Sequence, residues 1–213
     1  MSGMTSDDGT RVAGLVLAAG AGSRYGTPKA LVVDDSGESW LVRAALALED
    51  AGCDPVLVVL GAAGDEAERL VRASAARFAR PHRLLTVHAE RWADGLSASL
   101  EAGLDRLSGM DEVIAVALVP VDVPDLTAAA VTRVLGSTAA DTAVGPVGAD
   151  SLRQAHFGGR PGHPVVIGRS HWAPLTASLG GDTGARPYLL AHNVTAVACD
   201  DLGTGLDVDL PPA

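Results

Sequence analysis

The sequence predicts an α/β fold, a three-layer α/β/α domain on a mostly parallel sheet. Three observations lead there. Short apolar runs alternate with helical segments of about ten residues, the rhythm of βαβ units. The runs Val12–Ala18 and Val113–Val121 (VIAVALVPV) are apolar almost throughout, as strands buried on both faces are. Polar chemistry collects just past them: a glycine-rich loop after the first run and Asp122 after the longest, where open α/β sheets place ligands.

In chain order, Val12–Ala18 opens the sheet. Leu41–Asp50 repeats apolar residues at helical spacing, and Pro55–Leu60 (PVLVVL) is a second strand. Asp65–Phe78, charged and alanine-rich, is a helix, Leu84–His88 a third strand and Leu96–Leu107 a helix. Val113–Val121 is the central strand, Leu126–Leu135 a helix and Ala143–Val147 a strand. From about Ser151 the rhythm breaks at two turn-rich stretches, Gly158–Gly162 and Gly180–Gly184, before a helix at Ala185–His192 and a strand at Val194–Ala198. At roughly 100–200 residues per domain, 213 residues suit a single domain. It spans 11–213 after a flexible 1–10 extension, with a regular 11–150 part and a less regular 151–213 part.

Composition narrows the function. Hydrophobic residues make up 47% and charged residues 20%, which excludes a disordered chain. A net charge of −10 opposes nucleic-acid binding, which draws on clustered Lys and Arg. Cys53 and Cys199 form no CxxC pattern and sit in apolar surroundings, as small buried hydrophobes do. No apolar stretch reaches membrane-spanning length and the first ten residues lack a signal-peptide layout, so the expected location is cytoplasmic. Fifteen of the sixteen cationic residues are Arg; the lone Lys, Lys29, stands out as a place for a compact ammonium.

Lys29 ends the loop Leu17-Ala18-Ala19-Gly20-Ala21-Gly22-Ser23-Arg24-Tyr25-Gly26-Thr27-Pro28-Lys29. Its glycines let backbone N–H groups approach an anion, and Arg24 and Lys29 add positive charge, together suiting a polyphosphate. A Walker A loop needs Gly-Lys-Ser/Thr opening a helix, whereas Pro28 precedes this Lys and Ala30 follows it. The dinucleotide fingerprint fails because the third glycine is displaced to position 26 and Thr27-Pro28 blocks helix entry. A tight turn without a ligand explains the glycines but not the cations. Asp122, past the central strand, suits Mg²⁺, which takes one or two carboxylates plus substrate phosphate oxygens. The alternative, a turn aspartate capping the helix at Leu126, fits Asp125 better.

The run LAAGAGSRYGTPKAL resembles the L-A-A-G-x-S/G-x-R-x-G-x-x-K signature of nucleotidyltransferases, and more narrowly the MobA-like NTP transferase family, in its molybdenum cofactor cytidylyltransferase (MocA-like) branch. The resemblance spans Val12 to Asp209 and implies a Rossmann-like nucleotidyltransferase domain, with 11–150 as its nucleotide-binding part and 151–213 as its acceptor-binding part. It places the nucleoside triphosphate on Leu17, Ala18, Ala19, Gly20, Gly22, Ser23, Arg24 and Lys29, with Arg24, Lys29 and Asp122 catalytic. Val121-Asp122-Val123-Pro124 matches the family's magnesium-binding D-x-P, and Gly205-Leu206-Asp207-Val208-Asp209-Leu210-Pro211 matches its closing D-I-D-T-P, making Asp207 the second Mg²⁺ ligand. If that end is a strand, Asp207 and Asp209 share one side.

Three further segments resemble the cytidylyltransferase branch. Arg91–Leu100 looks like W-x-x-G-x-x-x-S-L and brings Ser99 to the nucleotide, against the plainer reading of Ser97 and Ser99 as ordinary helix residues. Gly158–Val165 looks like G-x-x-G-H-P-V and Gly181–Arg186 like G-D-x-G-A-R; these assign Gly162, His163, Asp182 and Arg186 to the acceptor. A phosphate acceptor is ionised at neutral pH and needs no general base, so His163 is expected to hydrogen-bond substrate or loop backbone. The implied reaction transfers CMP from CTP to the terminal phosphate of molybdopterin-type molybdenum cofactor, releasing pyrophosphate. A molybdenum hydroxylase apo-enzyme is the expected downstream partner, with neither nucleic acid nor membrane. GTP in place of CTP, another phosphorylated acceptor such as phospholactate, and a non-catalytic cofactor carrier remain alternatives.

Overall fold

A computed structural model describes residues 9–136 and 144–210. The expected 1–10 extension therefore falls almost wholly outside the described residues. Among the described residues seven strands form one sheet: β1 (Arg11–Ala18), β2 (Val56–Leu60), β3 (Leu84–His88), β4 (Val113–Pro120), β5 (Leu152–Phe157), β6 (Arg160–Gly168) and β7 (Thr195–Ala198), in the order β3-β2-β1-β4-β6-β5-β7. Strands β3, β2, β1 and β4 run parallel, β6 is antiparallel to both neighbours, and β7 pairs parallel with β5. The helices are α1 (Trp40–Asp50), α2 (Gly64–Ser74), α3 (Leu96–Ser108), α4 (Ala128–Leu135), α5 (Trp172–Ser178) and α6 (Arg186–Ala191).

Side-chain alternation along the buried strands creates two cores. Val16 and Ala18 of β1, Val58 and Leu60 of β2 and Ala117 and Val119 of β4 share one face with Leu41, Leu48, Val71 and Val131 from α1, α2 and α4. Leu15 and Leu17, Leu57 and Val59, and Val116 and Leu118 point the other way, onto Leu100, Leu104, Leu175 and Leu189 from α3, α5 and α6. This is the three-layer arrangement the uniformly apolar runs predict.

After β1 the chain builds β2 and β3 on one side, then returns to lay β4 on the other side of β1. The carboxyl ends of β1 and β4 thus flank a topological switch point, where α/β sheets open a crevice.

The expected strand at Ala143–Val147 is corrected by the structure: Ala143 lies outside the described residues, and Val144–Val147 are irregular. Here the buried Arg153 guanidinium donates to the carbonyls of Val134 (3.2 Å), Leu135 (2.8 Å) and Pro146 (2.9 Å). It closes the end of α4 and holds the following segment off the sheet. The strand lies later, in the β5–β6 hairpin turned by Gly158-Gly159, both at positive φ. Prolines at 161 and 164 make β6 read as non-strand, and its pairing with β5 is interrupted between Gln154 and His156.

Candidate active site

The crevice at the switch point is a cleft of about 480 Å³ lined by Leu17, Gly20, Ala21, Gly22, Ser23, Arg24, Tyr25, Lys29, Leu96, Val121, Asp122, Asp182 and Asp209. The glycine loop forms one wall. Gly22 adopts φ +63°, and a Cβ there would run into the Thr27 carbonyl, so the tight return depends on glycine. The Gly26 N–H donates to the Gly22 carbonyl at 2.7 Å, and Tyr25 packs edge-on against Trp40. Ala18 and Ala19 are buried under the loop. Pro28 ends the loop, and a single 3-10 turn, Lys29–Leu31, is pinned by buried Ala30.

Lys29 is the electrostatic centre. Its Nζ donates to Asp122 Oδ2 at 2.7 Å and Asp209 Oδ1 at 3.0 Å, and its side chain is only 14% exposed. Burial lowers the ammonium pKa, but hydrogen bonds and charge from Asp122 and Asp209 outweigh burial and raise it above the ordinary value. Arg24 Nη1 donates to Asp209 Oδ2 at 2.8 Å from an exposed position. Lys29's hydrogen bond and charge, with help from Arg24, hold the Asp209 carboxyl below the usual range. Two cations and two carboxylates thus face the cleft in mutual contact.

Asp209 lies on the C-terminal segment, which lies across the end of β4: the Val208 N–H donates to the Asp122 carbonyl at 2.9 Å. The segment is irregular here, so strand alternation does not apply; Asp207 is exposed and outside the cleft lining, and Asp209 meets Lys29. Asp125 does not cap α4. Thr127 does, its Oγ1 accepting from Ala130 N at 3.2 Å, while Asp125 Oδ2 accepts from both N and Oγ1 of Thr204 at 2.6 Å.

The opposite wall joins two segments distant in sequence. Gly95 precedes α3 at φ +114°; a Cβ on it would lie 2.5 Å from Asp182 Oδ1 and 2.6 Å from Gly181 O. The first α3 amides are already satisfied, Leu96 N by Asp182 Oδ1 at 3.3 Å and Ser97 N by Gly181 O at 3.0 Å. Asp182 is therefore the anion at this helix terminus. The Ser97 hydroxyl is buried without a partner among the described residues, and Ser99 is buried in α3, away from the cleft lining.

Gly162 is buried on β6. His163 is half-buried, with Nδ1 3.4 Å from the Leu118 carbonyl. Burial lowers its pKa, opposed by that carbonyl and by the charges of Asp122 and Asp207. Arg186 opens α6 on the surface. Neither His163 nor Arg186 lines the cleft. Both cysteines are buried, and burial pushes the Cys53 thiol up to about 12.

Among the described residues no group of three or more His, Cys, Asp or Glu side chains could hold a metal, and no helix is long and apolar enough to cross a membrane. The Asp122–Asp209 pair fits a hard divalent cation that takes its remaining oxygens from a phosphate.

A family model described as the MobA-like NTP transferase domain matches residues 14–196. The chain is 34% identical over 215 residues to nicotine blue oxidoreductase of Paenarthrobacter nicotinovorans, covering 93% of this chain and 92% of that protein. It is similar to the crystal structure of Rv0371c from Mycobacterium tuberculosis H37Rv, with TM-score 0.71 and 27% identity over 95% of this chain and 94% of that one. It also matches a structure of Rv0371c complexed with manganese, at TM-score 0.64 and 22% identity over 93% and 94% of the two chains.

Proposed function

The chain belongs to the MobA-like NTP transferase domain family, and from that premise we propose that it transfers a nucleotidyl group, CMP from CTP, to the terminal phosphate of molybdopterin-type molybdenum cofactor. The observation that carries the reading is the meeting of the glycine loop, Lys29 and Asp122 at the switch point between β1 and β4.

An oxygen of the acceptor phosphate attacks the α-phosphorus, forming the new P–O–P link as the bond to pyrophosphate breaks. Both reactants are anions, so positioning and charge neutralisation carry the rate. The loop amides from Gly20 to Arg24 cradle the triphosphate, and Lys29 and Arg24 balance its charge. Asp122 and Asp209 would hold Mg²⁺, with Asp209 taking the place the sequence motif gives Asp207. A magnesium ion there supplies charge neutralisation on phosphate oxygens. Binding exchanges partners: each cation leaves a carboxylate for a phosphate, so no charge is stranded in the cleft. The 151–213 part, with Gly162, His163, Asp182 and Arg186, is assigned to the acceptor.

Magnesium-dependent pyrophosphate release from CTP, GTP, ATP and UTP, with and without the cofactor, tests this reading. Release from CTP that requires the acceptor is expected; preference for GTP would move the assignment to guanylyl transfer. One observation favours a second reading, since the similar P. nicotinovorans protein is named an oxidoreductase. A dinucleotide carries a pyrophosphate that the same loop could hold, and with both thiols buried it would have to bring the electrons. Oxidation of a reduced nicotinamide dinucleotide by a redox dye, with no pyrophosphate from any triphosphate, would select that reading.

A further inference from the structure

Asp125 follows the switch-point aspartate by three residues, and no cap, metal or substrate role accounts for it. Its Oδ2 accepts two short hydrogen bonds, from the backbone N–H and the hydroxyl of Thr204, both at 2.6 Å. The other oxygen, Oδ1, is buried and has no partner among the described residues. Keeping a carboxylate there is costly unless its charge strengthens the bonds it does make. Those bonds fasten the C-terminal segment five residues before Asp209. Two more contacts guide the segment: the Thr127 hydroxyl donates to the Leu202 carbonyl at 3.3 Å, and Val208 N–H donates to the Asp122 carbonyl at 2.9 Å.

We propose that Asp125 is a positioning residue: its clasp on Thr204 fixes the path of the C-terminal segment and so holds Asp209 against Lys29 and opposite Asp122. This deepens the nucleotidyl-transfer reading and rests on it for its functional meaning, since Asp209 would be the second carboxylate toward the metal. The clasp reaches no substrate itself. It sets where Asp209 stands before anything binds.

The single lysine supplies a readout that needs neither metal nor turnover. Trinitrobenzenesulfonate labels accessible amines, and peptide mass spectrometry separates Lys29 from the N-terminal amine. Lys29 Nζ is held by Asp122 at 2.7 Å and Asp209 at 3.0 Å and its side chain is only 14% exposed, so the reagent reaches it faster once Asp209 moves away. Asp209→Asn and Asp125→Ala should each speed Lys29 labelling several-fold, and the double variant should be no faster than Asp209→Asn alone. Asp125→Asn, which keeps an acceptor oxygen, should restore most of the wild-type rate. Thr204→Val removes one of the two donors from an exposed position and should give an intermediate rate; it carries the test if Asp125→Ala fails to fold. A parallel Mn²⁺ titration by electron paramagnetic resonance should show weaker binding in Asp125→Ala and Asp209→Asn.

Labelling and Mn²⁺ affinity unchanged in Asp125→Ala and Thr204→Val, with Asp209→Asn altered, would overturn the clasp and leave the transfer reading standing. A double variant labelled much faster than either single one would also overturn it, because loosening would then act beyond Asp209. Failure of the transfer reading looks different: CTP with Mg²⁺ would not protect Lys29 in the wild-type protein.

Discussion

Replacing Lys29 with alanine removes the ammonium that touches both Asp122 and Asp209, at 2.7 and 3.0 Å. The side chain is 14% exposed, so an effective dielectric near 20 applies rather than that of water. At that dielectric a unit charge about 4 Å from a phosphate oxygen contributes roughly 4 kcal/mol. Part of this acts equally on bound nucleotide; the share that grows as charge moves onto the leaving pyrophosphate lowers the barrier. Removing such a contact typically costs about 3–4 kcal/mol, or 10²–10³ in kcat, with a smaller change in nucleotide affinity. Lys29→Arg should recover part of this, because the planar fork cannot follow the moving charge in a loop closed by Pro28. The pKa direction gives a second check. Its folded value lies above the ordinary 10.5, so its ion pairs are fully present below 10.5 and lost only as pH rises through the raised value. Activity should show no alkaline fall from Lys29 below about pH 10. Pyrophosphate release measured across pH for wild type, Lys29→Ala and Lys29→Arg checks all of this. Near-normal kcat in Lys29→Ala would refute the reasoning, since the ammonium would then neutralise nothing that matters in the transition state.

Three other perturbations follow from the same structure. Asp122→Asn should keep the fold and abolish both Mn²⁺ binding and metal-dependent turnover, read by electron paramagnetic resonance and pyrophosphate assay. Gly95→Ala should lower stability by about 1–3 kcal/mol in urea unfolding, because alanine is strained at φ +114° and its Cβ would press on Asp182 and Gly181. Asp54, buried at the far end of the sheet and ringed by Arg11, Arg80 and Arg83, should lose about 3 kcal/mol as Asp54→Asn, the low end for a broken buried pair because the arginines reach solvent. Burial pushes the Asp54 carboxyl up, but the Arg83 hydrogen bond and the three positive charges outweigh it and hold it low. That stability is present above the ordinary carboxylate pKa and fades as pH falls through the lowered one, so the gap between wild type and Asp54→Asn should close in acid.

The first four strands were legible because each is short, apolar and bounded by turn residues; Leu84–His88 matches β3 residue for residue. The β5–β6 hairpin was obscured by Pro161 and Pro164, although Gly158-Gly159 between two strands was its signal. Arg153 explains why Val144–Val147, apolar enough for a strand, stays off the sheet. In the cleft, the glycine loop and Asp122 were readable as local motifs beside a strand end. Asp209 was not, because its position depends on a segment that crosses from β7 back to β4 through tertiary contacts. Asp182 was legible as polar, but its part in capping α3 depends on the loop at 180–184 meeting Gly95 across 86 residues of chain.

The central claim meets its most direct test in the mass of a product. Purified protein with Mg²⁺, CTP and molybdenum cofactor should yield the cofactor heavier by one CMP residue, with one pyrophosphate released per molecule formed and none when the cofactor is left out. Unchanged cofactor and no pyrophosphate from CTP, GTP, ATP or UTP, in a protein that still folds and binds nucleotide, would contradict it.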